Sequence, residues 1–372
     1  MSVVISGTGL YTPPFSISND ELVNCFNQYV ERFNAENSDA IAAGDLDALS
    51  CSSSEFIEKA SGIKNRYVMS KDDILNVDLM RPTIRQRDNE TISLQAEIGV
   101  AAAKQALEAA NKKPEDIDLV IVACAYTQRS YPAMAIEIQS ALGCSGWGFD
   151  MLVACSAATF GIINAANAIR SGTAKTVLVI NPEILSPQIN YRDRDSHFIF
   201  GDVATASIIE DESTATSAHC FKIISEQPIT QFSNNIRSNI GYMNNCDTET
   251  KDDVDKYFIQ QGRKVFKEVL PMVSNLIASQ MAKVGLAPED VKRLYLHQAN
   301  INMNGFIAKK VLGREPSLVE APIILDEYAN TSSAGCIIAL HKHHHDLVIG
   351  DKMVLCSFGA GYSACCLILE HC

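Results

Sequence analysis

Uninterrupted apolar runs alternate along the chain with stretches whose apolar positions recur every three or four residues. DLVIVACAY (118–126), GFDMLVA (148–154) and TVLVINPEI (176–184) are apolar almost throughout, the pattern of strands buried on both faces. Between them, SLQAEIGVAAAKQALEAANKK (93–113), AMAIEIQSALG (133–143) and SAATFGIINAANAIRSG (156–172) carry helical spacing. Ser18, followed three residues later by Glu21, predicts a capping box at the start of an earlier helix. Such alternation predicts an α/β protein in which helices cover a mostly parallel sheet. Near the C-terminus KMVLCSFGAGYSACCLILE (352–370) is long and apolar, but Gly359, Gly361 and Ser363 interrupt it. Two buried strands around a glycine turn account for it better than a membrane span.

The second half repeats the first in letters. Pro114-Glu115-Asp116, which leads into one strand, returns as Pro288-Glu289-Asp290, 174 residues on. Cys155-Ser-Ala-Ala at a strand-to-helix junction is echoed 175 residues on by Asn330-Thr-Ser-Ser. Lys175-Thr-Val-Leu-Val and Lys352-Met-Val-Leu-Cys lie 177 apart. Three matches in order at nearly one offset predict an internally duplicated α/β unit, with halves 1–212 and 213–372. Cys155 and Asn330 then face each other across a pseudo-twofold axis. The polar stretches 36–55 and 70–91 fall outside the repeat and read as insertions. The Ser/Thr/Asn-rich stretch 213–250 reads as a connector between the halves.

Composition narrows the function. A formal net charge of −13 over 372 residues leaves no basic face for nucleic acid or an anionic membrane. The start, MSVVISGTGLY, has neither the basic nor the long apolar region of a signal peptide. Twelve cysteines without C-x-x-C spacing, several inside apolar runs, fit free thiols in a reducing cytoplasm.

One of those cysteines stands apart. Cys155 ends an apolar strand and is followed by Ser156, Ala157 and Ala158 at the start of a helix. A helix N-terminus stabilises a thiolate, and the small neighbours leave room for a substrate; a cysteine packed at a helix start is the plainer alternative. His297 in YLHQAN ends the strand RLYL, where α/β sheets open their crevices, although a lone histidine there is more often structural. Asn330 could be a simple N-cap. SFGAGY (357–362) is either a hairpin or a backbone brought close to a ligand.

Taken together, GTGLYTP, the S-N-x-E-L opening, S-G-I-x-x-R at 61–66, YPAMAIEIQSALG, the Cys155 motif, FGD at 200–202, HQAN, NTS and the final FGxGY resemble the β-ketoacyl-acyl-carrier-protein synthase III family of thiolase-like condensing enzymes. The resemblance covers most of the chain. It implies a duplicated thiolase-like fold layered α-β-α-β-α around two mixed sheets, and a divergent branch, since the insertions exceed those of compact members. It implies that Cys155 takes an acyl group from acyl-CoA, a medium-chain primer among the possibilities. It implies an oxyanion hole at the amides of Cys155 and Gly361, and a role for His297 and Asn330 in decarboxylating a malonyl carrier. The product is a 3-oxoacyl thioester of fatty acid biosynthesis, made without metal or redox cofactor by a cytoplasmic homodimer.

The resemblance also sets expectations for binding. Tyr131 matches an aromatic that crosses the dimer interface to wall the partner's acyl pocket. Lys309, Lys310 and Arg314 are the candidate cations for acidic acyl carrier protein, while Asn302 stands where the family often has Arg. Phe56 stands in place of the Trp that stacks on coenzyme A, and Ala60 replaces an Arg. Arg81, Arg85 and Arg87 of the insertion are therefore the candidates for its phosphates. His341, His343, His344 and His345 with Asp346 read as exposed cations at a helix C-terminus, not as a metal site. Two rivals stay open on spacing alone. One is a Cys-His-Asn hydrolase, with His297 lying 142 residues beyond Cys155. The other is a non-decarboxylating thiolase with Cys356 as its base.

Overall fold

The structure is a computed structural model and describes residues 2–372. Its apolar strands pair into one nine-stranded mixed sheet. The order is Val291–Leu296, Lys352–Gly359, Gly361–His371, Phe221–Ser233, Val3–Tyr11, Val203–Asp211, Thr176–Glu183, Leu119–Cys124 and Trp147–Leu152. Between Val3–Tyr11 and Phe221–Ser233 only Val4–Lys222 and Ile5–Phe221 are paired. The two sheets expected from the repeat are thus continuous through a two-residue seam.

Strand burial explains the apolar runs. Leu119, Ile121 and Ala123 point into one core and Val120, Val122 and Cys124 into another, so neither face of that strand meets water. Met353 and Leu355 split from Val354 and Cys356 in the same way. Burying each of the Leu, Ile, Val and Met side chains contributes about 1.5–3 kcal/mol. The central core holds the helices Ala157–Arg170 and Gly335–Lys342 against strands of both halves. The outer cores hold Leu94–Ala109 and Met134–Leu142 on one side, and Gly262–Lys283 and Ile301–Leu312 on the other. The layers run α-β-α-β-α. The capping box at Ser18 is present: Glu21 N–H donates to its Oγ at 3.2 Å, and Ser18 N–H donates to the Glu21 carboxylate at 2.9 Å.

Three expectations change. The strand Trp147–Leu152 is not buried: it is the sheet's edge, with Trp147 48% and Leu152 56% exposed. The stretch 213–250 is more than a connector, because Phe221–Ser233 is a thirteen-residue strand inside the C-terminal half of the sheet. The repeat is real, but its register shifts at the junctions. Both Pro-Glu-Asp triplets are 3-10 turns that lead into strands. The turns Ala154–Ser156 and Ser332–Ala334 both lead into helices and both open on a left-handed residue, Ala154 at φ 45° and Ser332 at φ 50°. The counterpart of Cys155 is therefore Ser333, not Asn330.

Of the histidines at the end of the Gly335 helix, His341, His343 and His344 are partly buried rather than fully solvated, and His345 is exposed. His344 is half-buried, edge-on to the rings of His219 and Phe221 at 5.4 and 5.6 Å, while His219 Nδ1 meets His371 Nε2 at 3.2 Å. Burial lowers the His344 pKa to about 4, against the pull of its hydrogen bond to the Leu340 carbonyl. A histidine whose pKa falls on folding supports the fold above its unfolded value near 6.5, and that support is lost as pH falls towards 4. His344→Phe is expected to lose less stability over that window, its melting midpoint dropping about 2 °C less than that of the parent protein between pH 7 and pH 4.5. Parallel melting curves at both pH values would refute it.

Candidate active site

The edge strand Trp147–Leu152 ends, the chain turns through left-handed Ala154, and Cys155 emerges just before the helix Ala157–Arg170. The turn between the two C-terminal hairpin strands closes over it. A Cβ at Gly359 would lie 2.6 Å from Cys155 Cβ and 3.2 Å from Sγ, so only glycine allows this approach. The main-chain N–H groups of Cys155 and Ala360 reach the sulfur. The second amide is thus that of Ala360, one residue before the expected Gly361, which instead pairs with Ser233 in the sheet.

Cys155, His297 and Asn330 line one cavity of about 480 Å³, a size suited to a small-molecule ligand. His297 follows the strand Val291–Leu296, held by its N–H to the Cys356 carbonyl at 2.8 Å. Its ring stands edge-on to Phe358, with centroids 5.1 Å apart at 87°. Asn330 is fixed by main-chain bonds on both sides: its N–H donates to Ile199 O and its carbonyl accepts from Gly201 N–H, each at 3.1 Å. Asn330 Oδ1 accepts from Ser332 N–H at 2.9 Å. That bond turns the amide's NH₂ end to the cavity.

Burial sets the protonation states. It lowers the His297 pKa to about 4, opposed by a hydrogen bond to the Ser332 main chain, so the ring is neutral near pH 7. It raises the Cys155 pKa to about 11, although Ser332 and the two amides pull the other way. Cys155 keeps some exposed surface, but it is surface that lines the cavity. The thiolate expected from the helix end alone is therefore absent at neutral pH. Desolvation outweighs the helix end here.

The sequence did not single out Ser332, Glu183, Phe358 or Arg263. Glu183, a lone acid inside an apolar strand, carried a visible signal; the others did not. Phe56 lines the cavity mouth, with the Arg194 guanidinium 4.1 Å above its ring, and Arg263 lines the same mouth. Arg85 and Arg87 instead line a separate cavity beside the Leu94 helix, where Arg87 pairs with Glu97. Arg81 is exposed outside both cavities. None of these three arginines lines the cavity that holds Cys155. Asn302 ties its helix to Ala60, donating to that carbonyl at 3.4 Å.

Lys309 and Arg314 are already paired, with Glu315 and Glu320, which among the described residues leaves Lys310 as the unpaired cation of that group. Tyr131 is 77% exposed, well away from the protomer's core. Cys356 lies in the outer core beside Cys366, in no position to serve as a base at Cys155. Among the described residues no cluster of His, Cys, Asp or Glu could hold a metal, and no helix is long and apolar enough to cross a membrane.

Comparison with known proteins agrees with this geometry. The family description 3-oxoacyl-[acyl-carrier-protein] synthase III matches residues 149–226, and its C-terminal part matches 281–371. The chain is 54% identical to a β-ketodecanoyl-[acyl-carrier-protein] synthase of Pseudomonas aeruginosa over 93% of its own length and 99% of the relative's. It is 31% identical to a β-ketoacyl-[acyl-carrier-protein] synthase III of Chelativorans over 86% and 91% of the two chains. The crystal structure of a 3-oxoacyl-[acyl-carrier-protein] synthase III from Aquifex aeolicus superposes with a TM-score of 0.76 at 26% identity, covering 99% of each chain.

Proposed function

The chain belongs to the 3-oxoacyl-[acyl-carrier-protein] synthase III family of condensing acyltransferases, and from that premise we propose that it extends a medium-chain acyl-CoA with malonyl-acyl carrier protein through an acyl group held on Cys155. A ketodecanoyl product, less the two carbons that malonyl leaves behind, corresponds to an octanoyl primer. The observation that carries the catalytic assignment is the convergence of Cys155, His297 and Asn330 on one cavity.

Cys155 sulfur attacks the thioester carbonyl, and the amides of Cys155 and Ala360 hold the oxyanion, an arrangement worth roughly 3–4 kcal/mol per donor. Coenzyme A leaves and malonyl carrier enters. Neutral His297 and the Asn330 amide donate to its thioester oxygen and hold the enolate formed as carbon dioxide departs. A histidine with a pKa near 4 suits this role, since it donates without adding a charge that would tether the substrate carboxylate. The carbanion attacks the acyl-Cys155 carbonyl and the 3-oxoacyl carrier forms. Every bond change is carried by these groups, so the reading calls for no metal or redox cofactor.

Coenzyme A phosphates are assigned to Arg263 and Arg194 at the mouth, with Phe56 as the adjacent stacking face, in place of Arg81, Arg85 and Arg87. Lys310 is the leading cation for the carrier, and Lys309 and Arg314 join once their surface pairs, each worth little, are released. The half-exposed apolar edge strand Trp147–Leu152 and exposed Tyr131 support a homodimer joined along that edge. The halves 1–212 and 213–372 then divide the chemistry, the first supplying the nucleophile and the second the enolate-binding pair. A cytoplasmic place of action follows from the substrates.

Intact mass measurement after mixing with acyl-CoAs of graded length tests the reading. One adduct is expected, mapping to Cys155, with octanoyl-CoA reacting at least about tenfold faster than acetyl-CoA, as several buried methylenes allow. Equal rates for acetyl and octanoyl would refute the medium-chain assignment.

A further inference from the structure

Cys155 and Ala360 lie on turns far apart in the chain, so the spacing of their two amides depends on what joins those turns. The hairpin turn packs directly on the nucleophile: a Cβ at Gly359 would lie 3.1 Å from the Cys155 nitrogen and 3.2 Å from Sγ. Ser156 stands at the N-cap of the helix Ala157–Arg170, where a serine hydroxyl ordinarily accepts from an N–H of the first turn. It makes no such bond. Its Oγ instead lies 2.5 Å from Ser363 Oγ and 2.9 Å from the Val153 carbonyl. Ser363 Oγ in turn lies 2.9 Å from the Ala360 carbonyl. Both serines are buried, at 0% and 3% exposure. The Ser156 carbonyl is held as well, accepting from Thr159 Oγ1 at 3.1 Å and from Ser357 Oγ at 3.3 Å. Ser357 and Ser363 belong to the two strands of the C-terminal hairpin, Lys352–Gly359 and Gly361–His371. Ser156 is thus pinned to both arms of the hairpin whose turn carries Ala360.

We propose that Ser156 and Ser363 are positioning residues whose paired hydroxyls set the distance between the Cys155 and Ala360 amides, and with it the oxyanion hole. The proposal rests on Cys155 being the acylated nucleophile with those amides as its donors. Neither serine lines the cavity. Ser156 acts through the residue it follows, and Ser363 through the carbonyl of Ala360. Each hydroxyl has one proton, so two protons serve three contacts. Either Ser156 donates to Ser363, which donates to the Ala360 carbonyl, or Ser363 donates to Ser156, which donates to the Val153 carbonyl. In both arrangements a hydrogen bond runs between the serines and the two turns stay linked.

The internal repeat supplies a comparison. The turn Ser332–Ala334 has the same left-handed start and leads into its own helix, but its third residue, Ala334, has no hydroxyl. Of the two turns, only the one carrying the nucleophile has the clamp. A buried hydroxyl pair can be exchanged for apolar groups at little cost in stability. What this pair adds to the surrounding core of Ala157, Ala158 and Cys365 is therefore direction. Direction matters here, because an oxyanion donor must lie about 2.7–3.1 Å from where the charge develops. A misplacement of about 1 Å can cost about 10²-fold in rate.

Two measurements test the clamp: single-turnover acylation by octanoyl-CoA, followed by intact mass, and carbon dioxide release from malonyl-acyl carrier protein. Ser363→Ala is expected to slow acylation at saturating octanoyl-CoA by about 10–100-fold. The concentration giving half the maximal rate is expected to stay within about twofold, since binding is untouched. Carbon dioxide release depends on His297 and Asn330 and is likewise expected to stay within about twofold. Ser156→Ala is expected to behave in the same way, and the double variant to be no slower than the slower single one. Each single variant leaves the surviving hydroxyl a carbonyl of its own, Ala360 O or Val153 O, so folded protein is expected. Ser156→Ala decides the matter if Ser363→Ala does not fold. A parent protein that gains no adduct on Cys155 would overturn the acyl-transfer reading and this proposal with it. With an acylated parent, three results overturn the proposal alone: variants acylated at the parental rate, both half-reactions slowed alike, or only the half-maximal concentration raised.

Discussion

Cys155→Ala is expected to lower acyl transfer by at least about 10⁴-fold and to abolish the acyl adduct, while leaving the decarboxylation of malonyl thioester measurable. The magnitude is that of removing a covalent nucleophile whose partners act with it as a unit. No second thiol is placed to substitute, because among the described residues Cys155 is the one cysteine lining the cavity. Decarboxylation uses a different set of contacts: His297 is fixed by its own strand and Asn330 by the 199–201 segment, neither through the sulfur. The substitution deletes one atom where space is already tight against Gly359, so the fold is expected to tolerate it. Carbon dioxide release and intact mass, measured on one preparation, separate the two half-reactions. Loss of both to the same degree would mean that Cys155 positions the malonyl group as well, and retention of an adduct would remove Cys155 from the role of nucleophile.

That separation explains why some of the site was legible in the sequence and some was not. Cys155, His297 and Asn330 could be singled out because each sits at the end of a regular element, and the family resemblance, not periodicity, joined them into one site. The strand at 119–124 could be drawn because both of its faces are buried and its letters are apolar throughout. The edge strand Trp147–Leu152 differs only by Gly148 and Asp150 among otherwise apolar letters, too little to mark it as a strand with a single neighbour. Thiol acidity failed for a related reason: the helix end is local, whereas the enclosure by Gly359 and Ala360 comes from two hundred residues away. It is the Ala360 amide that reaches the sulfur, whereas Gly361 lies opposite Ser233 in the sheet, a placement that glycine content alone does not reveal. That Arg85 and Arg87 line a separate cavity could not be read from the sequence, because an insertion's path depends on its anchors, here Ile74 and Met80 buried in the core around Phe26.

Asp202, seen in the sequence only as part of FGD, is where the largest loss of stability is expected. Its carboxylate is fully buried and accepts four hydrogen bonds: Leu185 N–H at 2.7 Å, Ser186 N–H at 2.8 Å, Ser186 Oγ–H at 2.7 Å and Met69 N–H at 2.9 Å. Its own N–H donates to Tyr67 O at 2.7 Å. One side chain thus joins the strand Asn65–Val68, the loop after Glu183 and the segment that pairs with Asn330. In Asp202→Ala three main-chain N–H groups lose their acceptor inside the protein, at about 1–3 kcal/mol each. A total near 5 kcal/mol is comparable with the whole net stability of many domains. Asp202→Asn keeps the shape and the Oδ1 bonds, but its NH₂ faces Met69 N–H, so a loss of about 2 kcal/mol is expected. Because Gly201 N–H holds the Asn330 carbonyl, the folded fraction of Asp202→Ala is also expected to decarboxylate malonyl thioester more slowly than it acylates Cys155. Urea unfolding of the three proteins orders them as parent, Asn variant, Ala variant; a difference below about 1 kcal/mol between parent and Ala variant would show that water or neighbouring groups replace the carboxylate, and that Asp202 does not hold these three segments together.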